Sequence, residues 1–369
     1  MWDFSWLTRR SGDCAEYADV DAVLDGLVLR GYDVVRIDAF PHLVSWLAQD
    51  AAREDRFTLL PEPAVRQWGN PRPVDTAVRA PLLDFIGRCR ERRIRVALSS
   101  WFGPDTLALR EAVVNPADYY TVWRDTLRCI ADAGLLDAIA WVDLCNEFPF
   151  PVWARGAYRR IFGTAAWNLV PFFLPWPAQV RANLAAYADA SIPGLRAEFG
   201  LPFTFSSMRL PRKEAAMPLA QLDFIETHAW LSDTLAFNLA TAGFLSLAQV
   251  PGGTALHARL AAIAWPLAKE RWRARLSAHL DQLADIAAAA GKPLVTTEGW
   301  ATTLYGGGFL DRDRRAWDWI KEAGEAGVEL ALARGWQSLC TSNYSQPHFP
   351  AVWDDIDWHR RLTARIHQD

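Results

Sequence analysis

Two carboxylic acids stand where short apolar runs end. Asn146 and Glu147 close the run within WVDLCNEFPF, Trp141 to Phe150, and Glu298 closes the one in PLVTTEGW, Pro293 to Trp300. A pair of carboxyl groups at one site suits the cleavage of a glycosidic bond, which passes through an oxocarbenium-like state. One acid protonates the leaving oxygen while the other brings negative charge or a nucleophile to the anomeric carbon. The amide beside the first acid, Asn146, supplies a partner for a sugar hydroxyl. An Asn-Glu dipeptide alone is common; the second strand-end glutamate makes it half of a candidate pair.

Such a pair needs a scaffold that gathers distant strand ends, and the chain has the pattern of one. After an opening strand at Asp3 to Leu7, apolar residues at Val20, Val23, Leu24, Leu27 and Val28 follow helical spacing, with Asp19 as N-cap and Gly31 as a stop. The β-branched run Asp33 to Asp38 comes next. Leu82, Phe85, Ile86 and Cys89 mark a second helix ahead of the strand Ile94 to Ser100. Asn115 and Pro116 form an N-cap and N1 pair for a third helix, which carries Val122, Trp123, Leu127 and Ile130 and leads to the strand Ala138 to Leu144. A helix at Ala178 to Ala197 and strands at Phe203 to Ser206 and Asp223 to His228 follow. A helix at Lys269 to Ala290 precedes the Glu298 strand, and one at Arg314 to Ala326 precedes the strand Trp336 to Thr341. Trp358, Leu362 and Ile366 mark a closing helix.

Alternating strands and helices predict an α/β fold with a parallel sheet. Eight strands favour a single (β/α)8 TIM barrel spanning residues 1–369 over an open doubly wound sheet, since no GxGxxG or P-loop string follows the first strand. A helix is legible after every strand but the fifth. Long loops follow strand 2 (39–73), strand 4 (148–177) and strand 6 (229–267), and the last two are expected to wall the site.

Composition bounds the function. The 369 residues are 51% hydrophobic and 22% charged, ordinary for a globular enzyme with a large core. A net charge of -4 leaves no basic stripe for a phosphate backbone, which excludes nucleic acid as a partner. Nineteen tryptophans are the outlier; indole faces pack on the C–H faces of sugar rings, although most must serve the core. The 5 cysteines form no CxxC pair, and no HxH or HExxH string occurs, so no metal and no cofactor is expected. No apolar run is long enough for a membrane helix. The opening MWDFSWLTRR lacks the pattern of an export signal, so a cytoplasmic location is expected. Oligomeric state is left open.

Barrel enzymes place chemistry at the C-terminal ends of their strands. Those ends read Ser5 and Trp6, Arg36 and Asp38, Ser99 to Trp101, Asn146 and Glu147, Ser206 and Ser207, His228 and Trp230, Glu298 and Trp300, then Trp336, Ser342 and Asn343. The arginine in VVRIDAFPH, the Asn-Glu pair in DLCNEF, the histidine in ETHAW, the glutamate in VTTEGW and the tryptophan in GWQSL resemble, in order and spacing, the clan A glycoside hydrolases. The likeness is to the cellulase-type enzymes of glycoside hydrolase family 5. The openings DFSWLTRR and RIDAFPHL resemble those of bacterial cellulase-like proteins.

The resemblance implies a retaining glycoside hydrolase acting on β-glycosidic bonds of oligosaccharides or small glycosides. Glu147 would be acid/base, Glu298 nucleophile, Asn146 the ligand of the sugar 2-hydroxyl, and Arg36 the charge that keeps Glu298 ionised. Asp38, Trp101, His228, Trp230, Trp300, Tyr305, Trp336 and Asn343 would complete the substrate site. The chain departs from the cellulase type in two places. Ser99, Ser100 and Trp101 stand where a histidine is usual, and Trp230 stands for a tyrosine that hydrogen-bonds the nucleophile, leaving Tyr305 or Tyr344 as replacement donors. Blander readings exist: Arg36 as a structural ion-pair partner of Asp38, His228 as a hydrogen-bonded core residue, the tryptophans as packing. Two rival functions are a catalytically silent sugar-binding barrel and a metal-dependent barrel hydrolase using Asp38, His42 and His228.

Overall fold

The computed structural model describes residues 2–3, 6–12, 14–62, 68–208, 216–247, 250–303 and 315–368. They fall into two compact units, residues 3–207 with 215–226, and residues 227–369 with 1–2 and 208–214.

The first unit holds strands β1 (Val34–Asp38), β2 (Phe57–Leu59), β3 (Val74–Thr76), β4 (Arg95–Ser99), β5 (Ile139–Asp143) and β6 (Phe203–Thr204). Strands β1, β4, β5 and β6 lie side by side in that order with parallel pairings, while β2 and β3 make an antiparallel hairpin. Most residues of the parallel strands are buried on both faces, which is why they read as continuous apolar runs. The register sets Asp38 beside Ser99 and Asp143 beside Thr204, so the polar exceptions collect at the C-terminal edge of the sheet.

Helices frame this sheet for reasons visible in the sequence. In α1 (Val20–Leu29) the Asp19 side chain accepts from the Ala22 N–H at 3.0 Å, and Val20, Val23, Leu24 and Leu27 are buried. The expected loop 39–73 instead contains α2 (Pro41–Ala48) as well as β2. Its prolines obscured the helix, yet Pro41 sits at its start, where no N–H is needed, and Leu43, Val44 and Leu47 turn inward. Next come α3 (Arg79–Glu91), burying Leu82, Phe85, Ile86 and Cys89, and α4 (Pro116–Asp132), where Asn115 and Asp118 form a capping box. Helix α5 (Arg155–Phe162) lies inside the expected loop 148–177, and α6 (Ala178–Phe199) follows it.

In the second unit, β7 (Ile225–Trp230, whose first two residues belong to the first unit), β8 (Leu294–Thr296), β9 (Gly299–Trp300) and β10 (Ser338–Leu339) form a sheet in the order β9, β7, β8, β10. Pairings β7–β9 and β8–β10 are parallel. Strand β7 starts two residues later than the sequence pattern suggests and takes in Trp230. The expected loop 229–267 is largely helical: α7 (Leu235–Ala240), α8 (Gly243–Leu247) and α9 (Gly253–Leu267). Helices α10 (Lys269–Ala290), α11 (Arg315–Leu332) and α12 (Ile356–Ile366) match the predicted ones, with α11 longer at its C-terminal end. The opening strand is only Trp2–Asp3, with Trp6 already in a turn. Among the described residues no helix is long and apolar enough to cross a membrane.

One close approach fixes how α11 meets its sheet. A Cβ added at Gly327 would lie 2.3 Å from ring atoms of Trp300. Glycine to alanine inside a helix ordinarily stabilises by about 0.5–1 kcal/mol. Here overpacking against a buried indole should reverse the sign, and Gly327→Ala should lose about 1–3 kcal/mol. Thermal unfolding reads this as a lowered midpoint; a raised one would show that helix and indole are not in such contact.

Candidate active site

In the first unit the centre is Arg36. Its side chain is fully buried, and its Nη2 donates to Asp143 Oδ2 at 2.5 Å and to Asn146 Oδ1 at 2.8 Å, while Nε lies 3.3 Å from Glu226 Oε1. The guanidinium also lies over the Trp101 ring, 4.5 Å from its centroid. Asp143 is itself saturated: Ser99 Oγ donates to Oδ2 at 2.6 Å, Ser206 Oγ at 2.8 Å, and the Ser206 N–H donates to Oδ1 at 2.7 Å. The ion pairs of Arg36 thus run to Asp143 and Glu226, and these replace the Asp38 pairing weighed from the sequence.

This network holds the Asn-Glu turn. Past Asp143 the chain leaves the sheet but stays bonded to both flanking strand extensions. Asn146 N–H donates to the Ser100 carbonyl at 2.9 Å, Glu147 N–H to Ser206 Oγ at 2.9 Å, and Phe148 N–H to the Ser206 carbonyl at 2.8 Å. Glu147 takes a φ of 49°, a left-handed conformation costly for a side-chain-bearing residue and tolerated because the bonds around it over-determine the turn. Trp153 Nε1 reaches Glu147 Oε2 at 3.4 Å.

Asp38 lies at the end of β1 and accepts from the N–H groups of Phe40 at 2.8 Å and Trp101 at 3.1 Å. Burial outweighs these bonds, the Ser100 hydroxyl and the nearby Arg36 charge, and its carboxyl is pushed up to about 7. Asp38 and Trp101 line a small recess of about 30 Å3 together with Glu62, Asn70 and Trp153. His42 is held by the Gly103 carbonyl, 3.1 Å from Nε2, and burial lowers its pKa to about 3, so its ring is neutral.

In the second unit Glu298 sits just past β8, 5% exposed, and its carbonyl is tied by Thr296 Oγ1 at 2.8 Å and the Ala229 N–H at 3.3 Å. His228 is buried on β7 with Nδ1 3.8 Å from Glu298 Oε2, and its ring stands edge-on to Trp230, centroids 5.5 Å apart. The buried Trp230 Nε1 and Asn343 Oδ1 have no hydrogen-bond partner among the described residues. Asn343 donates its backbone N–H to the Gly299 carbonyl at 2.5 Å, beside Glu298. Trp300 is 0% exposed, donates Nε1 to the Cys340 carbonyl at 2.9 Å and packs beside Trp336, itself 4% exposed. These two indoles therefore stand as packing residues in this structure. Tyr344 commits its one hydroxyl hydrogen to the Thr302 carbonyl at 2.8 Å, which removes it as the replacement donor, and Tyr305 lies outside the described residues.

Sequence reasoning missed Glu226 and Trp153. Glu226 stands two residues before His228 on one buried strand, so the two share a face, and an acid inside a wholly buried strand was the available signal. Trp153 had no such signal, because its place depends on the turn after Glu147.

Parallel strands of an α/β fold ending in buried acids, an amide and tryptophans are of the cellulase-like kind. The chain belongs to the cellulase-like family: residues 1–367 match the profile described as sugar-binding cellulase-like. It is similar to a crystal structure from Parabacteroides distasonis ATCC 8503, a provisionally assigned glycoside hydrolase, with 31% identity and a TM-score of 0.83 over 99% of this chain and 92% of that one. A β-glycosidase structure shares 15% identity and a TM-score of 0.44 over 88% of this chain and 75% of its own, a likeness on which nothing rests. No curated protein matches the chain.

The raised pKa of Asp38 has a consequence for stability. A carboxyl that binds its proton more tightly when folded contributes stability at low pH that is lost as pH rises toward about 7. Asp38→Asn removes that slope, so the melting temperature of the variant relative to wild type should climb between pH 5 and pH 8. Parallel curves for the two proteins would mean that Asp38 titrates normally.

Proposed function

We propose that the protein is a retaining glycoside hydrolase acting on β-glycosidic bonds of oligosaccharides or small glycosides, built as a single (β/α)8 barrel. Glu147 is the acid/base and Glu298 the nucleophile. The observation that carries this reading is the Asn146–Glu147 turn fixed at the exit of β5 by Arg36, Asp143 and Ser206, in a chain of the cellulase-like family. A left-handed acid gripped on both sides is a costly arrangement, of the kind that clusters at functional sites. The 31% identity to a provisionally assigned glycoside hydrolase supports the same class.

The chemistry follows from these groups. Glu147 protonates the leaving oxygen as Glu298 attacks the anomeric carbon, giving a glycosyl-enzyme. Glu147, now a carboxylate, takes a proton from the water that releases the sugar. Asn146 Oδ1 accepts from Arg36, which leaves the amide NH2 to face the sugar 2-hydroxyl. Since Asp143 and Glu226 already match the charge of Arg36, its role here is to orient Asn146. His228 lies within reach of the Glu298 carboxyl and holds it in line. Asp38 and Trp101 meet sugar hydroxyls in the recess they line, and Asn343 offers its amide oxygen beside Glu298. Action is proposed to be from a chain end, as the length of segments 148–177 and 229–267 suggests. A viscosity drop in a long polysaccharide without monosaccharide release would contradict that last point.

Azide separates the two glutamates. In Glu147→Ala an activated aryl β-glycoside still forms the glycosyl-enzyme, its breakdown slows, and azide restores turnover to give the β-azide. In Glu298→Ala the first step fails for every leaving group, with a loss of several orders of magnitude, and any rescued product is the α-azide. Azides of one anomeric form from both variants would overturn the assignment. A catalytically silent sugar-binding barrel would bind its ligand without turnover in any form of the protein.

A further inference from the structure

From 234 to 258 the chain carries no Asp, Glu, Lys or Arg over 25 residues, although 22% of the whole is charged. These residues are not hidden. On α7, Leu235 and Leu239 are 73% and 58% exposed, and on α9, Leu256, Ile263 and Leu267 are 42%, 57% and 80% exposed. The inner face of α9 is already committed: His257, Ala258, Ala261 and Trp265 are buried, and Trp265 Nε1 donates to Glu322 Oε2 at 2.9 Å. Leu256, the half-buried Leu260, Ile263 and Leu267 form a separate outer stripe with spacing 4-3-4, the seam by which helices pair.

We propose that this outer face of α9, flanked by α7, docks a second copy of the chain across a two-fold axis. A stripe spaced 4-3-4 is self-complementary when two copies run antiparallel. Leu256 then meets Leu267 of the other copy, and Leu260 meets Ile263. An isologous contact of this kind needs no opposite charge on a partner, and the face carries only Arg259. A helix that lies on a lipid surface carries several Lys and Arg on its polar side, whereas α9 has one arginine. The size also fits. A Leu or Ile side chain offers on the order of 60–120 Å2 of apolar surface, so the five exposed ones supply roughly 200–400 Å2. A standard interface of about 800 Å2 per partner is apolar over roughly 450 Å2.

Sedimentation equilibrium of the full chain at micromolar concentration tests this. Wild type should give twice the 41.4 kDa of one chain, and Leu267→Glu should give a single chain. Adding Leu256→Lys to Leu267→Glu should restore the dimer, because the new charges meet across the axis. Both positions are exposed, so the circular dichroism and the melting temperature of the variants should equal those of wild type, and Ile263→Glu serves as a second dissociating variant should either misfold. A wild-type monomer, a dimer that survives both glutamate variants, or a double variant that stays single would overturn the proposal. So would monomeric wild type that pellets with phosphatidylcholine vesicles, which would assign the face to a membrane.

Discussion

A fully buried arginine between two buried carboxylates constrains everything around it. Removing water from three charges is expensive, and their attraction offsets that only when every donor and acceptor is placed. Arg36 from β1, Asp143 from β5 and Glu226 from β7 are drawn together with the help of Ser99 and Ser206, hydroxyls that donate to one carboxylate and accept from other groups. Loss of one member of such a set costs about 3–5 kcal/mol, since the rest is left uncompensated. The same closure fixes Asn146, whose amide oxygen is one of the acceptors, and through Ser206 the backbone of Glu147. Rigidity of the turn therefore follows from the solvation of one cation.

Much of the fold was legible because its signals are local. Asp19, and Asn115 with Pro116, announced helix starts, and buried β-branched runs announced the parallel strands. Helix α2 was hidden because its start at Pro41 resembles a loop, and β7 was displaced because polar residues inside a buried strand look like its end. At the candidate site, residues at strand ends were singled out by position alone. Arg36, Asn146, Glu147 and Glu298 carry types that mean something at such a place, whereas the partner of Arg36 could not be read, because pairing depends on register and Asp38 was nearer in sequence. Tryptophans stayed ambiguous for the opposite reason: an indole reads alike as sugar platform or as core, and Trp300 lies against Gly327 inside the protein.

Two neighbouring acids show how environment divides one chemistry. Asp143 is surrounded by hydroxyls, an N–H group and a guanidinium, while Asp38, one strand away from Ser99, has two backbone donors and deeper isolation from charge, and its carboxyl rises to about 7. Displacement of a buried carboxyl in this way is a mark of functional sites. In the proposed enzyme it gives the recess beside Trp101 and Trp153 a carboxyl that donates as well as accepts near neutral pH.

The proposed mechanism turns on a covalent bond between Glu298 and the sugar. Incubation with a panel of 2-deoxy-2-fluoro β-glycosides carrying good leaving groups, followed by peptide mass spectrometry, tests it directly. One added glycosyl group is expected, on the peptide containing Glu298, with loss of activity in step with labelling. Label on another residue, or inactivation without label in a protein that hydrolyses the parent glycoside, would contradict it.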